Sequence, residues 1–332
     1  MPREQALRQR HPIRQNSDGP RLPQPGPART AGGPNTPADD SPLVPRLPLL
    51  QYWLFWLGAR LAPVVPTPVG AVAARLGGLG AYLAARGARA AVRANLRHVL
   101  GHAPPERLVR AVFQHGALNY YDLLRLPRLD SAALEAAVEV RGWEHLAAAR
   151  APGRGVILVT AHLGSVSLVG QMVALGGCPA NVVVEALEPR LLALLGRLRA
   201  QHGITPLPAG PGLLRAIVAA LGRNEVVGLL SDRDVLGNGV EVTFFGAPTR
   251  LPGGAAGLGL RTGAVVLPAF TARGSGGRYL GWFEPPVPLA QTGNVRADVQ
   301  TNTERITRIV EAAIRRYPDQ WTVFQRVWST SC

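Results

Sequence analysis

The 332-residue chain has no lysine; all 36 of its basic residues are arginine. A Gly-x4-Gly-Lys-Ser/Thr phosphate loop is therefore excluded. Cysteine is almost absent as well, with Cys178 and Cys332 alone. Two cysteines make neither a disulfide framework nor a zinc or iron–sulfur ligand set, and no metal is expected. No Gly-x-Ser-x-Gly elbow occurs, which argues against a serine hydrolase. Charged residues are sparse at 17%, and the 21 acidic ones leave a formal charge of +15. What is abundant is apolar: 47% of the chain, enough for a sizeable core, so wholesale disorder and a collagen-like repeat are excluded. Arginine's planar fork of donors favours phosphate and carboxylate partners. Nucleic acid is not expected among them, because the arginines are not interleaved with stacking aromatics. Ala, Gly, Pro and Arg are inflated together, which points to genomic bias behind part of the charge.

Residues 1–45 hold ten of the 30 prolines and six arginines but almost no large apolar residue. Such a segment cannot bury enough surface to offset its chain entropy, so 1–46 is read as a disordered tail. No apolar run follows the early arginines within signal-peptide distance, and no secretory signal is expected. From Leu47 the character changes. The window Leu49 to Ala59 is the most lipophilic of the chain, with Tyr52, Trp53 and Trp56 close together, and Arg60 ends it. It is short of the roughly 20 apolar residues of a bilayer span. Its aromatics and terminal arginine suit an interfacial anchor, a buried core helix being the other reading. Residues 47–145 are read as a helical, membrane-associating region. Within it Arg86, Arg89, Arg93 and Arg97 recur along one helical face, either solvated or turned to phosphates. A second amphipathic helix is expected over 105–126, closed by Leu126-Pro127.

Residues 146–332 change rhythm. Short apolar runs at 156–159, 182–184, 226–230 and 265–267 alternate with helical stretches near 190–200, 212–222 and 253–262. This alternation predicts an α/β fold whose central sheet is mostly parallel and flanked by helices. A last helix is expected to open near Asn302 or Thr303 and to end at Tyr317-Pro318.

The strongest chemical candidate follows the first of these strands: Thr160-Ala161-His162-Leu163-Gly164-Ser165-Val166-Ser167. Open α/β sheets bind ligands at the carboxyl ends of their strands. A histidine there can take a proton from a hydroxyl about to act as a nucleophile. An isolated histidine of this kind is more often a hydrogen-bonded structural residue.

Further motifs follow in order: Leu230-Ser231-Asp232-Arg233-Asp234, then Val240 to Gly246, Leu251-Pro252-Gly253-Gly254, Arg261-Thr262-Gly263 and Val266 to Phe270. Tyr317-Pro318-Asp319-Gln320-Trp321 and Trp328 close the set, and Ala94-Asn95-Leu96-Arg97 lies upstream. By these motifs and their spacing the stretch from Leu47 to Trp328 resembles the bacterial glycolipid acyltransferases. That family includes the late lipid A acyltransferases and the phosphatidylinositol mannoside acyltransferases. The resemblance implies a glycerolipid acyltransferase-like core and a membrane-associated enzyme on the cytoplasmic face of the plasma membrane. It implies transfer of an acyl chain from a coenzyme A or acyl-carrier-protein thioester to a hydroxyl of a glycolipid or phospholipid precursor. No bound cofactor is implied; the expected partners are an anionic membrane surface, a lipid acceptor and acyl carrier protein.

One position departs from the family pattern. Five residues after the histidine the family carries Asp or Glu, and this chain carries Ser167. Serine can accept a hydrogen bond from imidazole but cannot offset an imidazolium charge. Three residues after the histidine, where relatives often have Asn, stands Ser165. With His162 as base, Ser167 and Glu185 are the candidates to support it, and Asp232 or Asp234 could also supply the missing carboxylate. Ser165, Asp232, Arg233, Asp234, Phe245 and Gly246 are candidate substrate contacts, Arg233 being otherwise a structural ion-pair partner of Asp232 or Asp234. Phe244-Phe245-Gly246 has the alternative reading of a strand and turn on the core. Ser167 also admits a second function, a weak or inactive lipid-binding descendant of the family.

Overall fold

The structure, a computed structural model, describes residues 48–328 apart from 186 and 236. The tail expected over 1–46 and Cys332 lie outside the described residues. Four helices come first: α1 (Pro48–Leu61), α2 (Thr67–Ala84), α3 (Arg86–Leu100) and α4 (Glu106–Arg125). α5 (Ser131–Ala137), β1 (Val138–Arg141) and α6 (Trp143–Arg150) lead into β2 (Val156–Thr160). Next come α7 (Val166–Val169), α8 (Gln171–Leu175), β3 (Ala180–Val184), α9 (Pro189–Arg199) and β4 (Ile204–Pro208). α10 (Leu213–Gly222) and β5 (Val226–Leu230) precede a hairpin of β6 (Val240–Phe244) and β7 (Ala247–Leu251). α11 (Gly254–Thr262), β8 (Val265–Arg273), β9 (Tyr279–Phe283) and α12 (Val295–Arg316) follow.

The main sheet has seven strands in the order β1-β9-β8-β2-β5-β3-β4. Every neighbouring pair is parallel except β8 with β9. The expected α/β class with a mostly parallel sheet is therefore observed. β2 reads Val-Ile-Leu-Val-Thr and all five residues are buried, the pattern of a central strand covered on both faces. β1 belongs to this sheet although it lies within the stretch 47–145 that the sequence marks as helical.

Three local features bear on the sequence reading. Within the helical region, α2 and α3 are broken at Ala85 and bent by 97°. No single described helix is long and apolar enough to cross a membrane; α2 and α3 meet the length and composition of a span only as a bent pair. The last helix starts at Val295 rather than near Asn302: Asn294 caps it by accepting from the Ala297 N–H. Its first two turns mix Val295, Ala297 and Val299 with Arg296, Asp298 and Gln300, so the helix opens before the continuous apolar stripe. Phe244-Phe245-Gly246 is a strand end and a two-residue turn with positive φ at Phe245 and Gly246 (48° and 77°). Such a turn matches strand twist but is unusual for Phe. The Phe245 N–H donates to Glu311 Oε1, and the Arg315 guanidinium lies 4.7 Å from the ring centroid, which hold it there.

The chain's last described residues pack back across the helices. Asn95, 2% exposed on α3, donates to the carbonyls of Val323 (3.3 Å) and Gln325 (2.8 Å) and accepts from Val327 N–H. Arg93 is drawn into an ion pair with Glu106, and Arg89 donates to the Tyr82 carbonyl. Replacing Asn95 by Ala removes the side-chain partner of three backbone groups, one buried and two part-buried. We expect it to cost about 2–3 kcal/mol, read as a fall in Tm of roughly 3–5 °C.

Candidate active site

Register brings the site together. β2 and β5 are parallel neighbours, and Thr160 pairs with Leu230 at their ends. His162 and Asp232 each follow two residues later, so the two loops leave the sheet edge side by side. The Asp232 carboxylate is fully buried, and Oδ1 lies 2.9 Å from His162 Nδ1. Oδ2 accepts from the His162 backbone N–H (2.9 Å) and from the Trp321 indole N–H (2.8 Å). A neutral imidazole that donates Nδ1–H to this carboxylate has Nε2 as its acceptor nitrogen. The imidazole is one-quarter exposed, so a substrate can reach it.

The same contacts set the direction in which the Asp232 carboxyl is shifted. Burial by itself pushes the Asp232 carboxyl upward. The His162 charge, its ring and backbone hydrogen bonds, and the Trp321 indole outweigh burial and hold Asp232 below the usual carboxylate range.

The histidine loop is strapped from the carboxyl-terminal side. Leu163 bridges to Trp321, the Gly164 N–H donates to the Gln320 carbonyl, and the Thr322 N–H donates to the His162 carbonyl at 2.8 Å. Gly164 has φ 62°, and a Cβ there would meet the Thr271 carbonyl at 2.5 Å, so only glycine fits the turn. The Gln320 side chain exchanges two hydrogen bonds with the Arg273 backbone. Trp321 is 2% exposed and packs on Phe244.

The other candidates fall in different places. Ser167 sits in the first turn of α7, half-buried, and its carbonyl accepts from Gln171 Nε2. No hydrogen bond joins its hydroxyl to the imidazole among the described residues. Ser165 is 1% exposed and its hydroxyl has no protein partner. Glu185 pairs with Arg233 rather than supporting His162, and Arg233 pairs with Glu185 rather than with Asp232 or Asp234. The Asp234 carboxylate accepts from the Gly237 and Gly239 N–H groups and closes the loop after β5. Phe245, 8% exposed, packs in the core with Phe244, Trp321 and Trp328, and Gly246 lies at the exposed tip of the hairpin. Sequence reasoning gave Trp321 no role. Its place in a closing Tyr-Pro-Asp-Gln-Trp motif was the available signal.

Among the described residues no cluster of three or more His, Cys, Asp or Glu is placed to hold a metal ion.

Asp232 titrates at lower pH in the folded state than in the unfolded chain. Its stabilisation is complete above the ordinary carboxylate pKa of about 4 and is lost as pH falls through the folded value. Asp232→Asn should be about 3 kcal/mol less stable than wild type at neutral pH. Thermal melts across a pH series should show that gap narrowing below about pH 4.

Comparison with known proteins identifies the family. A family model for bacterial lipid A biosynthesis acyltransferases matches residues 43–330. The chain is 32% identical over 282 residues to a phosphatidylinositol mannoside acyltransferase of Mycolicibacterium smegmatis, covering 82% of this chain and 89% of that protein. It is 31% identical over 256 residues to the phosphatidylinositol mannoside acyltransferase of Mycobacterium tuberculosis, covering 74% and 79% respectively. With a match over nearly all the described residues, the chain belongs to the bacterial lipid A biosynthesis acyltransferase family.

Proposed function

We propose that this acyltransferase works at the cytoplasmic face of the plasma membrane and moves a fatty acyl chain from a thioester to a hydroxyl of a glycolipid or phospholipid precursor. The 2.9 Å contact between His162 Nδ1 and the buried Asp232 carboxylate carries the reading. In this mechanism His162 Nε2 takes the proton of the acceptor hydroxyl as its oxygen attacks the thioester carbonyl carbon. The tetrahedral oxyanion collapses, the C–S bond breaks, and the departing thiolate takes the proton back from Nε2. Asp232 offsets the imidazolium charge throughout, the part that Ser167 cannot fill. Arg233 keeps guanidinium donors beyond its pair with Glu185, and these serve the oxyanion or a substrate phosphate. Coenzyme A and acyl carrier protein are the thioester carriers of the cytoplasm, which sets the donor class. The relatives' named acceptor, a phosphatidylinositol mannoside, makes a phosphate-bearing glycolipid the first acceptor to try.

Membrane binding has its own support. Trp53, Leu54, Leu57 and Leu61 on α1 and Val72 on α2 are about half exposed, and Val69, Leu76 and Leu83 on α2 are more so. Adjacent apolar helices of this kind, with Arg60 against the Trp56 ring, suit a headgroup boundary on an anionic membrane.

Thioester-dependent acylation by membranes containing the protein should fall about 10²–10⁴-fold in His162→Ala. Asp232→Asn should lose up to about 10⁴-fold. Ser167→Glu discriminates against the weak or inactive reading: with Asp232 already in place, its rate should stay within roughly tenfold of wild type. A large gain would mean that the site lacks a working acid. Trp53→Glu with Leu57→Glu should shift the protein from the membrane to the supernatant in vesicle sedimentation.

A further inference from the structure

A second polar site lies between α2, α4 and the turn joining β8 to β9. It is a cavity of about 230 Å³ that shares no lining residue with the His162–Asp232 pair. That is roughly seven waters of liquid volume, ample for a phosphate group. Arg125 and Arg273, with side chains 9% and 11% exposed, converge there on a single carboxylate, Asp122. Arg125 Nε lies 3.2 Å from Asp122 Oδ1, and an Arg273 terminal nitrogen 2.6 Å from Oδ2. The Tyr279 hydroxyl donates to Asp122 and accepts from both guanidiniums. Two buried cations against one anion leave a formal positive charge inside the cavity. Arg75, exposed on α2, adds a further cation at the rim.

Tyr121 supplies an independent sign. It is 9% exposed and lines the same cavity, yet its hydroxyl is buried without a hydrogen-bond partner. A buried hydroxyl left unpaired costs about 1–3 kcal/mol, so one persists where something else completes it. Opposite it stands Gly70, where any Cβ would collide with the Tyr121 ring and hydroxyl. The first turn of α2 also borders the cavity through Thr67, adding the positive end of an 18-residue helix.

We propose that this cavity binds a phosphate group, with the Tyr121 hydroxyl and the guanidiniums of Arg75, Arg125 and Arg273 as donors. Arginine forks match phosphate oxygens, and a tetrahedral oxyanion offers enough acceptors for all four groups. The phosphate is either that of an anionic lipid headgroup, whose chains would follow the exposed apolar side of α2, or free phosphate. The site is separate from acyl transfer: His162→Ala should leave its binding in place, so the two readings fail independently.

Calorimetric titration of the full chain with inorganic phosphate, and separately with a short-chain phosphatidic acid below its micelle concentration, tests it. Arg75→Gln changes an exposed side chain, and Tyr121→Phe keeps the ring, so both should retain the wild-type circular dichroism. Affinity should fall about tenfold in Arg75→Gln and about fivefold in Tyr121→Phe. Phosphate matching the lipid would identify a free anion as the occupant, and much tighter lipid binding a headgroup; either supports the site. Binding of neither probe, or equal binding by wild type and both variants, overturns it.

Discussion

A carboxylate removed from water must be fully provided with donors or it unfolds what surrounds it, and Asp232 is the residue on which this fold accepts that demand. Isolated burial of such a charge costs several kcal/mol. Three hydrogen bonds offset the cost: the imidazole, the histidine's own backbone N–H and the Trp321 indole. Each comes with a constraint. The first two require β2 and β5 to be neighbours in register; the third requires the chain to return from α12 and lay residues 320–322 beside the histidine loop. The same acid that orients the imidazole also ties the sheet to the carboxyl-terminal segment. The geometry of the histidine and the stability of the fold share one set of contacts.

That segment is in turn secured at points far from the site. Asn95 on α3 holds the backbone at 323–327, and Gln320 is clamped to the end of β8. Phe244 and Trp328 stack with ring centroids 5.3 Å apart, placing the β6–β7 hairpin behind Trp321. Residues spread from 95 to 328 therefore bear on where one imidazole points. A change in any of them reaches His162 through packed groups, because an interior at crystal-like density transmits displacement rather than absorbing it.

How much of this was readable in the sequence depends on the distance over which each signal acts. β2, β3, β5 and β8 announced themselves because a strand covered on both faces must be a continuous apolar run. β4, with two prolines at the sheet edge, and β6, alternating in a separate hairpin, carry no such run. The histidine was legible from its position after a buried strand. Its partner was sought five residues away, at Ser167, and the geometry supplies it 70 residues away at Asp232. Spacing along a helix or loop can be counted, but which strands become neighbours is decided by the whole sheet. Asp232 could be named as a substitute; only the pairing of β2 with β5 selects it over Glu185 and Asp234. Trp321 was unreadable for the same reason, since its contact with Asp232 closes a loop of 89 residues.

The charge that sets this sequence apart is organised by the same principle of compensation. Glu106 takes Arg93, Glu185 takes Arg233, Glu225 takes Arg223, and Asp232 is given to the histidine. Asp122 is the exception in kind: one buried carboxylate serves two arginines and a tyrosine hydroxyl pushed up to about 12 by burial and by Asp122. At that value the tyrosine stays protonated throughout the physiological range, so it adds a donor without adding a second negative charge. With 21 acids for 36 arginines, most of the excess can remain in water, where it costs little. An excess inside the protein is different, because low polarity magnifies it, and it persists only where an anion can answer it.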